Sequence, residues 1–130
     1  MSGQSAAAVC IRSETYIVEV ARTPRELSIG LMGRPHLPSH KGMLFIFDTP
    51  GQQGFWMKNT LIPLDIIFVS EQKRIDSFHT MVPCMADPCP VYPSKGRVKY
   101  AIEINAGEIV KHGFAVGDAV SISFDRHKTK

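Results

Sequence analysis

About seven short extended runs follow one another from Val9 to Phe124, split by proline- and glycine-rich turns, and one strong helix signal interrupts them. A doubly wound parallel sheet needs a long helix after nearly every strand, and this chain has no segments to supply them. The predicted fold is therefore mainly β: a compact antiparallel barrel or sandwich of about seven strands, with one helix in the N-terminal half and a short second helix. A chain of 130 residues is one domain in size. Its core is expected over about residues 9–124, with tails at 1–8 and 125–130.

The helix signal is "TPRELSIGLMGR". Thr23 suits the N-cap, Pro24 the first helical position, and Glu26 completes a capping box. The spacing predicts a helix from Pro24 to about Met32, closed by Gly33, with Leu27, Leu31 and either Ile29 or Met32 turned inward. Before it, "VCIRSETYIVEVA" reads as two extended runs about a turn at Ser13–Glu14, with Tyr16, Val18 and Val20 on one face. After it, "MLFIF" reads as a buried strand and "DTPGQQG" as a turn. "FWMKN", "LDIIFV", "QKRIDSFHTM", "VKYAIEIN" and "DAVSISF" are the remaining strands. "AGEIVKHG" is about two helical turns. The segment "VPCMADPCPVYPSKG" is irregular loop.

Net charge is +3, and the lysines and arginines are scattered. A nucleic-acid partner is not expected, because the basic stripe with interleaved aromatics is missing. No membrane span is expected: the longest apolar run, "LIPLDIIFV", is broken by Pro63 and Asp65. Cys84 and Cys89 bracket "MADP" between prolines and suit a small disulfide-closed loop, with free thiols as the alternative. A bridge there points to an oxidising compartment, hence a periplasmic or extracellular protein whose export signal lies outside these residues, with a cytoplasmic location as the alternative. Cys10 is expected to be a small core residue. His36 and His40 flank Pro38, so they do not form a helical metal pair, and no metal or cofactor is expected. The glycines match no phosphate loop, and the serines sit in no nucleophile elbow.

The chemistry concentrates in "FWMKNTLIPLDIIF", which places an ammonium, an amide and a carboxylate in core-like strands. Strand alternation puts Trp56 beside Lys58 on one face, and Asp65 with Ile67 and Val69 on another. A carboxylate among branched apolar side chains is expected to be buried and therefore paired, with Lys58 and Arg34 as candidate partners. Glu103, in "YAIEIN", shares a face with Ala101 and Asn105 and is a further candidate, either as a general base or as a partner for those cations. Two readings stay open: a structural ion pair inside the scaffold, or the polar floor of a pocket walled by Trp56 and methionines.

"SIGLMGR", "GMLFIF", "FWMKNTLIPLDIIFV", "DPCPVY", "AIEINAG" and "GDAV" occur in the order and spacing of a widespread prokaryotic family. From about Tyr16 to Ser123 the chain resembles the domain-of-unknown-function family numbered 192. That resemblance implies a small β-rich barrel or sandwich, common behind signal peptides in bacteria, and it implies no particular activity. It also implies that Arg34, Trp56, Lys58, Asn59, Asp65 and Glu103 are motif residues. The leading expectation is a cleft for a small polar or anionic ligand, formed by the helix end, "FWMKN" and "AIEIN". Arg34 and Lys58 would supply positive potential, Asn59 hydrogen bonds, and Trp56 a stacking wall. The alternatives are an enzyme using Lys58 with Asp65 or Glu103 for proton transfer, and a scaffold or interaction module.

Overall fold

The computed structural model describes residues 6–124; the tail expected at 125–130 and the first five residues lie outside the described residues. The first strand begins earlier than expected, at Ala6. β1 (Ala6–Ile11) and β2 (Glu14–Ala21) form an antiparallel hairpin with Val9 opposite Tyr16. The turn falls on Arg12 and Ser13, Arg12 taking a positive φ of 54°, one residue before the expected position.

α1 (Pro24–Ile29) forms for the anticipated reason. Thr23 Oγ1 accepts from the Glu26 backbone N–H at 3.1 Å, and Glu26 Oε1 accepts from the Thr23 N–H at 3.1 Å. It stops at Gly30, φ 50°, and not at Gly33. Leu31 and Met32 prolong a helix-like spacing past a residue that has already left the helix. As a result Leu31 is buried, Leu27 packs on the core, and Ile29 is exposed.

The later elements are β3 (Lys41–Gly51), β4 (Gly54–Trp56), β5 (Leu64–Val69), β6 (Ile75–Met81), β7 (Val91–Pro93), β8 (Val98–Asn105), α2 (Glu108–His112) and β9 (Val120–Phe124). Seven strands make one sheet in the order β6-β5-β8-β3-β2-β1-β9, and β4 pairs with β7 separately. The sheet is mixed. β2 and β3 run parallel, joined through α1, which corrects the all-antiparallel expectation. The other named pairs are antiparallel. β3 runs on through the proline-glycine segment expected to turn, and β7 lies within the proline-rich loop, too short to leave a periodic signal.

The sheet is not closed into a barrel. Its edge strands approach at one end, where Val120 N–H donates to the Lys73 carbonyl at 2.9 Å beside an isolated Arg74–Ala119 bridge. Strand alternation divides the apolar residues between two cores. Val9, Val18, Leu44, Ile67, Ile102 and Val120 belong to the first. Met43, Phe45, Phe47, Ile66, Phe68 and Ala101 belong to the second, together with Leu31 and Met57 from the covering segments. Gly42 sets the approach of β3 to β8: a Cβ there would collide with the Glu103 carbonyl oxygen. The second face, beneath α1 and the β4–β7 pair, holds the candidate site.

Candidate functional site

A cavity of about 470 Å³ opens between the C-terminal end of α1 and the β4–β7 pair, over β3 and β8. Its walls are aromatic. Phe45 and Phe47 rise from β3, and Phe55 and Trp56 come from β4. The Phe55 ring meets Phe45 edge-on at 4.9 Å between centroids and Phe68 at 5.8 Å, so the wall is packed from behind. Trp56 is 46% exposed at the rim, where Ile29 and Val91 are exposed as well. Ser28, Gln53 and Thr60 add hydroxyl and amide groups.

Glu103 lies at the floor, 4% exposed, with no hydrogen-bond or ion partner for its side chain among the described residues. Burial alone pushes its carboxyl up to about 8. Gly30 clears the way to it: a Cβ at that position would lie 3.2 Å from Phe45 Cζ and 4.0 Å from Glu103 Oε1. The positive φ of Gly30 disfavours such a substitution in any case. The expected cleft of helix end, "FWMKN" and "AIEIN" thus corresponds to a cavity, with Trp56 and Glu103 in its lining.

The other sequence candidates lie elsewhere. Asp65 is fully buried, as alternation required, but on the opposite face of the sheet: β5 and β8 pair Asp65 with Ile104, and Ile66 with Glu103. Neither Lys58 nor Arg34 is its partner, which corrects that expectation. Asp65 accepts from the Thr80 hydroxyl at 2.7 Å and from the N–H groups of Gly107 and Ile109 at 3.1 and 3.0 Å. It therefore ties the turn before α2 to the sheet. No pattern in one strand could announce a carboxylate satisfied by backbone some forty residues away.

Arg34 makes a two-pronged pair with Glu19, one bond being Nη2 to Oε1 at 2.7 Å. The guanidinium holds the Glu19 carboxyl below its usual range. Lys58 Nζ donates to Asp87 at 2.8 Å and stands 5.6 Å from the centre of the Trp56 ring, so these two residues are neighbours as alternation suggested. Neither cation lines the cavity. Asn59 takes a φ of 60° in the turn after Lys58; its N–H donates to the Cys84 carbonyl and its carbonyl accepts from the Gly33 N–H. β4 stops at Trp56 because the next residues bond to the Cys84 segment instead of continuing a ladder.

Cys84 and Cys89 are disulfide-bonded, whereas Cys10 is half-buried at 3.1 Å from Thr15 Oγ1 and not a core residue. The bridged loop carries Asp87, which holds Lys58 over the rim residue Trp56. Replacing both cysteines by serine is expected to lower the unfolding free energy by about 2 kcal/mol, the entropy of a loop this short. The indole N–H signal of Trp56 should shift with it. Chemical denaturation and NMR check both; an unchanged midpoint would mean that the bridge constrains nothing.

Sequence reading missed Phe45, Phe55 and Gly30 as site residues. An interrupting glycine in a strong helix pattern was the available signal for Gly30. It also missed a polar cluster on the other face. There the Tyr16 hydroxyl donates to Glu108 at 2.6 Å, His40 stacks on Tyr16 at 5.3 Å, and His40 Nε2 lies 2.9 Å from Glu14. Burial, with the Glu108 hydrogen bond, raises the Tyr16 phenol well above its usual range. His36 and His40 are both exposed. Among the described residues no group of three or more His, Cys, Asp or Glu could hold a metal ion, and no helix is long and apolar enough to cross a membrane.

The family model DUF192, described as Uncharacterized ACR, matches residues 7–122. A crystal structure of a candidate transcription regulator from Sinorhizobium meliloti 1021 is similar at a TM-score of 0.81 and 30% identity, covering 92% of this chain and 93% of that one. A protein of unknown function from Novosphingobium aromaticivorans DSM 12444 is similar at 0.80 and 35% identity, covering 91% of this chain and 84% of that one. No curated protein matches the chain significantly.

Proposed function

The chain belongs to the DUF192 family, and from that premise we propose that it is a small-molecule-binding domain whose ligand enters between α1 and β4 and meets Glu103. The observation that carries this is the carboxyl at the cavity floor, almost wholly buried and without a protein partner. Withdrawing a carboxyl from bulk water costs the fold free energy, and its retention at the cavity floor is accounted for when a ligand bonds to it there. The cavity volume lies in the small-ligand range of about 300–1,000 Å³, and apolar walls with few polar groups are usual for such sites.

Arg34 and Lys58 are engaged elsewhere, so the positive potential expected for an anionic ligand has no source in the lining. A proton-transfer enzyme built on Lys58 with Asp65 or Glu103 is disfavoured by the same placement, because Asp65 and Glu103 point to opposite faces. The disulfide fits an exported protein working in an oxidising compartment.

Amide-detected NMR against a library of small amphipathic molecules tests the reading. Binders are expected to move the signals of Gly30, Trp56 and Glu103 together, and Ser28→Trp, which fills the mouth from the exposed face of α1, should abolish those shifts. Shifts confined to other surfaces, or unchanged by Ser28→Trp, would overturn it.

A further inference from the structure

We propose that the cavity selects organic cations, namely ammonium ions carried on an apolar or aromatic body, with Glu103 as the recognising carboxylate. The inference rests on the binding role proposed above and adds the ligand's chemical class. Three features of the cavity and its rim lead to it. Among the described residues, Glu103 is the one ionisable side chain in the lining. A ligand carboxylate or phosphate would find no arginine or lysine in the lining, and it would be repelled once Glu103 is ionised, above about pH 8, because like charges at close quarters in an apolar site repel strongly. Phe45, Phe47, Phe55 and Trp56 form the walls, and aromatic rings attract cations through the negative quadrupoles of their faces. An ammonium already rests against Trp56 from outside: Lys58 Nζ, 5.6 Å from the ring centre.

The proton balance of binding follows from the carboxyl's surroundings. Glu103 lies opposite Met43 of β3 and Ile66 of β5, near Gly30 at the end of α1, and burial is the one cause that raises it, to about 8. In the empty cavity below that pH, Glu103 carries its proton. An entering ammonium ion is compensated only by the ionised form, so it displaces one proton to solvent. Affinity therefore rises with pH, by roughly tenfold per unit below 8, and levels off above it. Hydrogen bonds from the ammonium to Thr60 or Gln53 would occupy the remaining donors.

Three matched probes decide the matter: 2-phenylethylamine, 2-phenylethanol and 3-phenylpropionate, titrated by NMR into the whole chain at pH 8.5, where the amine is protonated. The amine is expected to bind at least tenfold more tightly than the other two. Its affinity should fall by one to two orders of magnitude between pH 8 and pH 6. Glu103→Gln should bring the three probes within a few-fold of one another. If the alcohol or the acid binds as tightly as the amine at Gly30 and Trp56, the cation preference is wrong and the binding role stands. If the amine's advantage survives Glu103→Gln, the recognising group is misassigned. If none of the three moves those signals, the cation proposal and the binding site both fall.

Discussion

Asp65→Ala is expected to lower the unfolding free energy by about 4 kcal/mol, one of the two largest effects predicted for this chain. The substitution removes the acceptor of three hydrogen bonds at once, and the buried N–H of Ile109 and the part-buried N–H of Gly107 are left without a partner. Each stranded donor costs roughly 1–3 kcal/mol. Asp65→Asn keeps a carbonyl acceptor and should recover part of the loss. Lys58→Met should neither rescue nor aggravate the Asp65 variants, since Lys58 bonds to Asp87 on the far side of the sheet. Equilibrium denaturation of the single and double variants checks this. A coupling above about 1 kcal/mol between Lys58 and Asp65 would show that they share an interaction.

The second large effect is a dependence of stability on pH centred on Glu103. Between the ordinary carboxyl range and pH 8, the folded chain holds a proton on Glu103 that the unfolded chain has released. Rising pH therefore favours unfolding, by about 1.4 kcal/mol per unit for one group. From pH 5 to pH 8 the wild-type chain should lose roughly 4 kcal/mol from this source, and Glu103→Gln should flatten that slope. Glu19, Asp118 and Glu14 act in the opposite sense. The Arg34 guanidinium, the Ala115 N–H with Arg12, and His40 respectively hold them below their usual values. Their contribution is present above the ordinary carboxyl range and is lost as pH falls below it, outside the window where Glu103 dominates. Denaturant midpoints at half-unit pH intervals measure the slope. Equal slopes for wild type and Glu103→Gln would place the acid in water or against a partner.

The two cores were legible in the sequence because alternation is local. "LDIIFV" sorts Leu64, Ile66 and Phe68 from Ile67 and Val69, and the sheet keeps them apart. The capping box of α1 was legible for the same reason: Thr23, Pro24 and Glu26 act within one turn. Partnership was not legible. Arg34 pairs with a residue fifteen positions earlier, Lys58 with one twenty-nine later, and Asp65 with backbone beyond β8. A polar residue in an apolar strand announces that it must be satisfied, yet topology decides by what. The parallel β2–β3 pair escaped prediction because a six-residue helix and the loop after it suffice to return the chain, far less than the long crossovers whose absence suggested an antiparallel sheet. Of the six candidate residues, Trp56 and Glu103 line the cavity. Its other walls were not legible, since Phe45 and Phe55 read as ordinary core until α1 ends early at Gly30 and leaves them facing space.

Carboxyl-detected NMR titration of Glu103 in the ligand-free chain tests the central claim most directly. A side-chain carboxyl signal titrating near pH 8, with the Gly30 and Phe45 amides moving at the same midpoint, is the predicted result. A midpoint in the ordinary glutamate range near 4.5 would contradict it, because the acid would then be solvated or paired and the cavity would lack the group on which its proposed function depends.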